Sequence, residues 1–415
     1  MSLAESAQRR RSGWARVLAC ALAGLALSAC GALGRSATPT TSGAGSGTST
    51  TTSTSTSTTT PTTTSTRPST STSAPHTPCV SPVTRWPLQR IANQLLMVIG
   101  EFSAVEALAP EAQAGVGGFV FLGEPTAVSG PAIRTGLTDL DDDAAGAGHV
   151  SPWMSTDTEG GPVSRLANVL GIIPSPRGMV AEWTAPQVEA TMAARGAALR
   201  QIGITMDLAP VLDTASATDP VAYESQRSFS ATPDVVAAYG TAYAAGLRAA
   251  GVVAVGKHFP GLGHASADTD TGPANDPPLA ELRGDDLVPF SRVIDSGLPV
   301  VMVGHPIVPG LTGGLPASLS AATYALLRTT LHFGGVAMTD SLSAKAISDA
   351  GYSEADAAVT ALLAGADMPM VTASTWRPVV GALVQALAQG AISRTRVDAS
   401  VSRILAAKSV TVCAG

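Results

Sequence analysis

The chain has 415 residues, a net charge of −6 at neutral pH and a hydrophobic content of 45%, with 13% charged and 4% aromatic residues. This length and apolar content suffice for one large domain or two small ones with a well-buried core. The acidic balance and the scarcity of aromatic residues argue against a nucleic-acid-binding surface. The sequence contains no Walker or Gly-x-Gly-x-x-Gly fingerprint and no His/Cys cluster with zinc spacing, so neither a cofactor nor a metal is expected.

Residues 1–30 have the pattern of a lipoprotein signal peptide. An arginine-rich segment precedes an apolar run from Val17 to Leu27, which is too short to span a bilayer. The run ends in Leu-Ser-Ala-Cys, which resembles a bacterial lipobox, so Cys30 is predicted to carry the lipid that anchors the protein to a membrane outside the cytoplasm. An ordinary secretion signal with an unrelated cysteine is the alternative.

Residues 31–78 are predicted to form a disordered tether. From about Ser36 onward they are almost entirely Ser, Thr, Pro and Gly, a composition that cannot bury enough apolar surface to offset the entropy lost on ordering. The predicted folded domain therefore covers residues 79–415.

The chain has four cysteines, and two of them are expected to pair. Cys20 would leave with the signal peptide and Cys30 would be lipidated. Cys79 and Cys413 remain at the two ends of the predicted domain, where an oxidising compartment favours a disulfide between them. Two free thiols are the alternative.

Short apolar segments alternate with Ala-rich segments of helical composition between those cysteines. The predicted strands are Leu95–Gly100, Gly117–Leu122, Pro152–Asp157, Thr205–Asp213, Val252–Lys257, Val300–His305, Gly335–Asp340 and Asp367–Val371. The predicted helices include Pro233–Ala250, Ser318–Leu331, Glu354–Ala364 and Thr375–Gly390. This alternation predicts a parallel α/β fold, most economically a (β/α)8 barrel of the TIM type. A doubly wound open sheet is the alternative, which the missing dinucleotide fingerprint disfavours.

Five of the predicted strands end in polar or charged residues. These strand ends are Asp157-Thr158-Glu159, Asp213, Lys257-His258, His305 and Asp340. Because the carboxyl ends of the strands in a parallel barrel meet at one rim, these side chains are expected to form one site.

Several segments resemble the signature segments of glycoside hydrolase family 3. They are DTEGGPVSRL, DLAPVLD, QRSFS, GKHFPGLG and SLSAATYALLRTTLHFGGVAMTDSLS, and they follow the family's order over about residues 88–408. They most resemble those of the single-domain bacterial β-N-acetylglucosaminidases. The resemblance implies a retaining exo-glycosidase that needs no cofactor and removes terminal β-linked N-acetylglucosamine from cell-wall-derived glycans.

The resemblance also assigns roles to individual residues. Asp340 falls on the position of the catalytic nucleophile, which forms a covalent glycosyl-enzyme in a retaining glycosidase. His305 falls on a position near the site. The positions that hold the terminal sugar are occupied by Asp157, Arg165, Arg227, Lys257 and His258. Carboxylate acceptors and cations with several N–H donors suit the hydroxyl groups around a sugar ring.

The proton donor departs from the family pattern. In the enzymes that this chain resembles, the acid/base is a His two residues after an Asp, and here that place is Asp268-Thr269-Asp270. Asp270 is one candidate acid, if a nearby carboxylate raises its pKa. His264, on the same glycine-bounded loop, is another. A third outcome is impaired proton donation. The alternatives to an N-acetylglucosaminidase are thus a sugar-binding lipoprotein with little turnover and a β-glucosidase of the same fold.

Overall fold

The structure, a computed structural model, describes residues 79–221 and 226–413. The predicted signal peptide, the lipid-carrying Cys30 and the tether lie outside the described residues. Within the described ranges, no helix combines the length and apolar character needed to cross a bilayer.

The strands confirm the predicted barrel. Across the described ranges they are β1 Met97–Glu101, β2 Gly118–Leu122, β3 Trp153–Thr156, β4 Thr158–Gly160, β5 Val163–Ser164, β6 Met206–Asp207, β7 Val253–Phe259, β8 Val300–Val303, β9 Val336–Ser341 and β10 Met368–Thr372. β4 and β5 form an antiparallel hairpin directly after β3, and the other eight of these strands pair in parallel into a closed barrel. β10 closes the barrel against β1, with Met370 opposite Met97.

Helices connect successive barrel strands. In the described part of the chain they are α1 Leu88–Gln94, α2 Ala109–Ala114, α3 Gly130–Gly146, α4 Ala167–Leu170, α5 Pro176–Glu182, α6 Ala185–Gln201, α7 Pro233–Ala249, α8 Leu279–Leu282, α9 Leu287–Asp295, α10 Ala321–Ala325, α11 Lys345–Asp349, α12 Glu354–Ala364, α13 Trp376–Ala388 and α14 Arg394–Ala407. Polar side chains define several helix starts. Ser353 Oγ accepts the Asp356 N–H at the start of α12, and Thr184 and Gln187 form a capping box at the start of α6.

Two predicted elements are less regular than expected. The predicted helix Ser318–Leu331 is divided into a 3-10 turn, α10 and a π-helical turn, because Ser320 has an extended backbone. The predicted strand Thr205–Asp213 pairs regularly only in β6. Pro210, which has no N–H to donate, follows in a cis peptide, and Val211 then forms an isolated bridge with Lys257.

Apolar strand residues fill the barrel interior up to the rim. All of β8 and the first four residues of β2 are buried, as expected for parallel strands covered on both faces. The uppermost interior residues are Ile99, Val120, Leu208, Met302 and Met370, which line the bottom of a pocket at the carboxyl ends of the strands. The barrel is therefore a packed core that opens at this one end into a polar site.

The predicted disulfide between Cys79 and Cys413 is confirmed, with Cα atoms 5.0 Å apart. Beside it, the Val80 N–H donates to Thr411 O at 2.9 Å and the Cys413 N–H donates to Val80 O at 2.8 Å. The covalent bond and this short backbone pairing fasten the two ends of the barrel domain to each other.

Candidate active site

The pocket at the rim brings together the side chains predicted from separate strand ends. Its polar lining comprises Asp157, Arg165, Arg227, Lys257, His258, Asp268, Thr269, Asp270, Asp340 and Ser341. Asp157 follows β3, Lys257 and His258 belong to β7, and Asp340 lies in β9. The parallel order of the strands is what makes residues so distant in sequence neighbours in space.

Four charged side chains form one buried network on a wall of the pocket. Lys257 Nζ lies 2.6 Å from Asp157 Oδ1 and 2.7 Å from Glu159 Oε1. Arg227 binds the same Glu159 carboxylate in a bidentate manner, from Nε at 2.8 Å and from Nη2 at 2.7 Å. Fixed geometry of this kind is what an arginine fork contributes to a carboxylate pair.

The network shifts the pKa values of its members in the directions expected for paired charges. Burial alone would raise the pKa of Glu159, but the charges and hydrogen bonds of Arg227 and Lys257 outweigh it and lower the pKa to about 2. Burial alone would lower the pKa of Lys257, whereas Asp157 and Glu159 raise it above its usual value. Glu159 and Lys257 are therefore charged at neutral pH.

Arg165 stands at the more open side of the pocket. Its backbone N–H donates to the Asp157 carbonyl at 3.0 Å, and its Nε lies 3.9 Å from Asp157 Oδ2, which is an ion pair without a hydrogen bond. Among the described residues, Arg165 Nε has no hydrogen-bond acceptor. Arg165 lines the pocket, so the exposed part of its guanidinium can donate to a molecule bound there.

His258 is held by a buried carboxylate that lies behind the pocket wall. Asp213 accepts the His258 backbone N–H at 3.0 Å and lies 2.7 Å from ring atom Nδ1. Burial disfavours a charged imidazole, but the Asp213 carboxylate more than offsets this and raises the pKa of His258. The ring is fixed in orientation and presents Nε2 on the side of Arg227, 3.4 Å from its Nη2.

Asp340 is a half-buried carboxylate at the end of β9, and its environment favours the ionised form. Burial would raise the pKa of Asp340, but the charge of the His258 imidazole and the Ser341 N–H, which donates to Oδ1 at 2.7 Å, lower it. A carboxylate that is fixed by the strand and ionised near neutral pH can act as a nucleophile.

His305 lies beside Asp340 but is fully engaged by its own neighbours. Its Nε2 lies 2.8 Å from the Ser341 carbonyl, so Nε2 carries the proton and donates, and Nδ1 lies 2.8 Å from Ser318 Oγ. Burial lowers the pKa of His305. The structure therefore supports a neutral imidazole that holds the backbone just after Asp340.

The β7–α8 loop, residues 260–278, carries the second carboxylate pair to the pocket. Asp268 Oδ1 accepts the Asp270 N–H at 2.9 Å. The Asp270 side chain reaches solvent at the rim. Its partial burial against the pocket walls and the charges of Asp340 and Asp268 raise its pKa to about 6. The pKa values of Asp340 and Asp270, two of the carboxyl groups that line the pocket, are therefore shifted in opposite directions.

The backbone of this loop is bound to the segment that follows β9. The Ala346 N–H donates to Thr269 O at 3.1 Å, and the Lys345 N–H donates to Asp270 O at 3.3 Å. These bonds connect the Asp270 position to the start of α11 rather than leaving it free at the rim.

His264 is on the same loop but faces another region. Its Nδ1 lies 3.1 Å from Asp219 Oδ1, and its Nε2 lies 3.2 Å from Asp285 Oδ2. It is not among the residues that line the pocket. The structure thus brings Asp270 to the pocket and does not bring His264 there.

Glu159 and Asp213 are among the predicted polar strand ends, in the segments DTEGG and DLAPVLD, but the family resemblance assigned neither of them a role. Asp207 holds the segment that carries Glu159. It accepts the Thr158 N–H at 2.9 Å and the Thr158 hydroxyl at 2.6 Å, which fixes the chain between Asp157 and Glu159. For each of them, the available sequence signal was an acidic residue at or shortly after the end of an apolar run.

The pocket offers two carboxyl groups whose pKa values are shifted in opposite directions, beside a set of charged hydrogen-bonding groups. Displacement of an oxygen leaving group from a carbon requires a carboxylate that can attack and a carboxylic acid that can donate a proton. The paired cations and carboxylates can hold a neutral, hydroxyl-rich molecule. Their mutual neutralisation gives little net attraction for a highly charged one.

Comparisons with known proteins agree with this geometry. Residues 93–407 match the family model described as the glycosyl hydrolase family 3 N-terminal domain. The chain is 39% identical over 355 residues to the β-hexosaminidase LpqI of Mycobacterium tuberculosis, covering 81% of this chain and 89% of that protein. The solved M. tuberculosis LpqI is similar with a TM-score of 0.72 and 36% identity, over 80% of this chain and 97% of that one. A family 3 β-N-acetylglucosaminidase from Paenibacillus sp. strain FPU-7 is similar with a TM-score of 0.73 and 31% identity, over 80% of this chain and 64% of that one.

Proposed function

Because this chain belongs to glycosyl hydrolase family 3, we propose that it is a retaining exo-β-N-acetylhexosaminidase that removes terminal β-linked N-acetylglucosamine from cell-wall-derived glycans. The observation that carries the proposal is the convergence of Asp340, Asp270 and the Asp157–Lys257 pair on one pocket closed below by the barrel core. A pocket with a closed bottom suits the end of a glycan rather than its middle. The names of the relatives, β-hexosaminidase and β-N-acetylglucosaminidase, support the choice of sugar.

The charged wall would hold the terminal sugar. Asp157 would accept hydrogen bonds from sugar hydroxyls, while Lys257, Arg227, His258 and the Arg165 guanidinium would donate them. Lys257 and Arg227 are already fixed by Glu159, so little side-chain entropy is lost when the sugar binds. Hydrogen bonds from preorganised donors of this kind also become stronger as charge develops in the transition state.

In the first step, the Asp340 carboxylate would attack the anomeric carbon as the bond to the leaving oxygen breaks. Asp270, protonated, would give its proton to that oxygen, so the aglycone leaves as an alcohol and a covalent glycosyl-aspartate remains. In the second step, the Asp270 carboxylate would take a proton from water, and the water oxygen would attack the same carbon. The Asp340 carboxylate then leaves, and the two inversions retain the β configuration.

The structure favours Asp270 over His264 as the proton donor. Asp270 lines the pocket and has a pKa of about 6, which leaves much of it protonated in mildly acidic surroundings. His264 is engaged by Asp219 and Asp285. Asp268 would fix the loop through its bond to the Asp270 N–H and contribute to the raised pKa of Asp270.

A pair of substrates tests this proposal. An aryl N-acetylglucosaminide with an acidic leaving group barely needs a proton donor, whereas a natural β-linked disaccharide does. We expect the protein to hydrolyse both, and Asp270→Asn to lower the rate on the disaccharide about 10²- to 10⁴-fold while largely sparing bond cleavage in the aryl substrate. Asp295→Asn, at an exposed position outside the pocket, is the control.

The outcomes separate the competing functions. Binding of N-acetylglucosamine without hydrolysis of either substrate would indicate a sugar-binding lipoprotein rather than an enzyme. This is the second candidate function because Asp270 occupies the position where the family pattern has a His. Preferred hydrolysis of aryl glucosides would indicate a β-glucosidase. Turnover of the aryl substrate alone would show that Asp270 does not act as an efficient acid.

We further propose that the protein acts outside the cytoplasm, anchored through a lipid on Cys30, and takes part in peptidoglycan turnover. The lipobox-like Leu-Ser-Ala-Cys and the Ser/Thr-rich segment between Cys30 and Cys79 support a tethered barrel. Fractionation of cells that express the full chain or Cys30→Ala tests the anchor. The full chain should sediment with membranes, and the variant should not. Equal distribution of the two would contradict lipidation.

A further inference from the structure

A second cluster of ionisable side chains lies on the β7–α8 loop, outside the pocket. One donor atom each from His264, Asp285 and Asp286 lies within 4.8 Å of the others. His264 belongs to the loop that carries Asp270, and the two aspartates lie between α8 and α9. None of the three lines the pocket. The cluster therefore joins two segments of the chain without belonging to the candidate active site.

The imidazole of His264 has the orientation found in carboxylate–histidine–metal arrangements. Its Nδ1 lies 3.1 Å from Asp219 Oδ1, and its Nε2 lies 3.2 Å from Asp285 Oδ2. In such arrangements a carboxylate accepts one ring N–H, and the other nitrogen keeps its lone pair for the metal. Two ligand atoms about 2.0 to 2.2 Å from one tetrahedral zinc ion lie roughly 3.3 Å apart. The observed separation of Nε2 and Oδ2 is close to that value.

A buried carboxylate without a partner provides an independent reason to expect a cation here. Asp276 is only 5% exposed, and neither of its carboxylate oxygens has a hydrogen-bond partner among the described residues. Its burial and the charges of Asp286 and Asp213 raise the pKa of Asp276 well above its ordinary value, so it holds a proton when no cation is bound. Asp285 Oδ1 is buried without a partner as well. Unpaired buried carboxylates are costly unless a cation or a proton neutralises them.

We propose that His264, Asp285 and Asp286 bind one divalent transition-metal ion, and that the carboxyl group of Asp276 adds to the attraction for the cation through its charge. One imidazole nitrogen and several carboxylate oxygens form a donor set that suits Zn²⁺. Asp219 is then a positioning residue, which accepts the Nδ1 proton and leaves Nε2 free for the metal. The separation of His264 from Asp285 by 21 positions explains why no short zinc motif marks the site.

The ion would join the base of the β7–α8 loop to the loop after β6 and to the connection between α8 and α9. Asp270 lies six positions after His264 on the same loop, so the ion would limit the motion of the residue assigned as proton donor. This effect on the reaction rests on the proposed function. The binding of the metal does not.

Metal binding is tested on the full-length chain, purified without a histidine tag and stripped with EDTA. Calorimetric titration with Zn²⁺ should give one site per chain, and Zn²⁺ at about 100 times the dissociation constant should raise the melting temperature by about 5 °C. The absence of saturable Zn²⁺ binding would overturn the proposal.

Substitutions locate the site. His264→Gln and Asp285→Asn should each weaken Zn²⁺ binding at least about 100-fold, and Asp219→Asn on the order of 10-fold, because it removes only the group that orients the ligand. His332→Gln, at an exposed position outside the cluster, is the matched control and should bind as the wild type does. Loss of binding in Asp270→Asn with binding retained in His264→Gln would place the ion in the pocket and overturn the assignment.

The Asp276→Asn variant distinguishes a role in metal binding from a purely structural role. In EDTA the variant should melt at or above the wild-type temperature, since it loses a buried carboxyl group that has no hydrogen-bond partner among the described residues, whereas the gain on adding Zn²⁺ should shrink or vanish. A lower melting temperature in EDTA with an intact Zn²⁺ gain would contradict the proposal. Hydrolysis of the aryl substrate is measured in parallel. Zn²⁺ binding without hydrolysis would overturn the proposed function and leave the metal site standing.

Discussion

Lys257 Nζ lies 2.6 Å from Asp157 Oδ1 although the two residues are 100 positions apart, and the pair forms the charged wall of the pocket. The same ammonium lies 2.7 Å from Glu159. Lys257 is therefore both a proposed donor to the sugar and the group that keeps two carboxylates in place.

Replacing Lys257 by Met should separate sugar binding from general surface effects. We expect kcat/KM on a β-linked N-acetylglucosamine disaccharide to fall by about 100-fold or more, because loss of a buried charged donor leaves Asp157 and Glu159 poorly compensated. Lys345→Met, which removes an exposed pair with Asp349, is the matched control and should change kcat/KM little. A small effect of Lys257→Met would argue that the sugar does not contact this wall.

Asp340→Asn should abolish the formation of the glycosyl-enzyme. We expect kcat to fall at least about 10⁴-fold on both aryl and natural substrates, because the amide is not a nucleophile. Binding of N-acetylglucosamine, measured by calorimetry, should persist. Asp349→Asn, on α11 nearby in sequence, is the control. Comparable activity of Asp340→Asn and wild type on the aryl substrate would exclude Asp340 as the nucleophile.

The pH dependence should report Asp270. Its pKa of about 6 means that the protonated form, which the acid step requires, is lost as pH rises through 6. We expect kcat/KM on the disaccharide to fall about tenfold per pH unit well above that value, while Asp340, whose pKa is lowered, stays ionised throughout. Asp270→His should extend activity toward neutral pH, because an unperturbed imidazole titrates near 6.5. An unchanged alkaline limb in Asp270→Asn would assign the acid to another group.

Glu159→Gln should reveal how much the buried network stabilises the fold. Removing one partner of a buried ion-pair network is expected to cost about 3 to 5 kcal/mol in the free energy of unfolding at pH 7. The pKa of Glu159 is lowered from an ordinary value of 4.5 to about 2, so its stabilising contribution is complete above pH 4.5 and is lost as pH falls toward 2.

Urea unfolding at several pH values measures this contribution. The difference between wild type and Glu159→Gln should shrink between pH 4.5 and 2, whereas Glu189→Gln, at an exposed position on α6, should match wild type throughout. A difference that does not change with pH would show that the loss comes from packing and not from the charge.

The barrel and the central site residues could be predicted because both depend on a strong local signal. Apolar runs of strand length alternate with helical segments, and a charged residue at the end of such a run must lie at the rim of the barrel. Asp157, Lys257 and Asp340 were identifiable in this way, and the family resemblance supplied their expected roles. The disulfide followed from the positions of the cysteines that remain in the predicted domain.

Other features depend on how distant loops pack. Glu159 meets Arg227 across 68 positions, and His258 meets Asp213 across 45, so no local pattern indicates either pair. His264 is near Asp270 in sequence, but three-dimensional packing directs its ring toward Asp219 and Asp285. The irregular strand after β6 likewise results from Pro210 and its neighbours rather than from hydrophobic pattern.

The main-chain bonds from Lys345 and Ala346 to the carbonyls of Asp270 and Thr269 have a consequence for the evolution of this fold. They involve no side-chain atoms, so the path of the chain at position 270 is independent of which amino acid occupies it. A lineage can therefore exchange an imidazole for a carboxyl there without rebuilding the scaffold, and under the proposed role of Asp270 this exchange would change the pH range of activity.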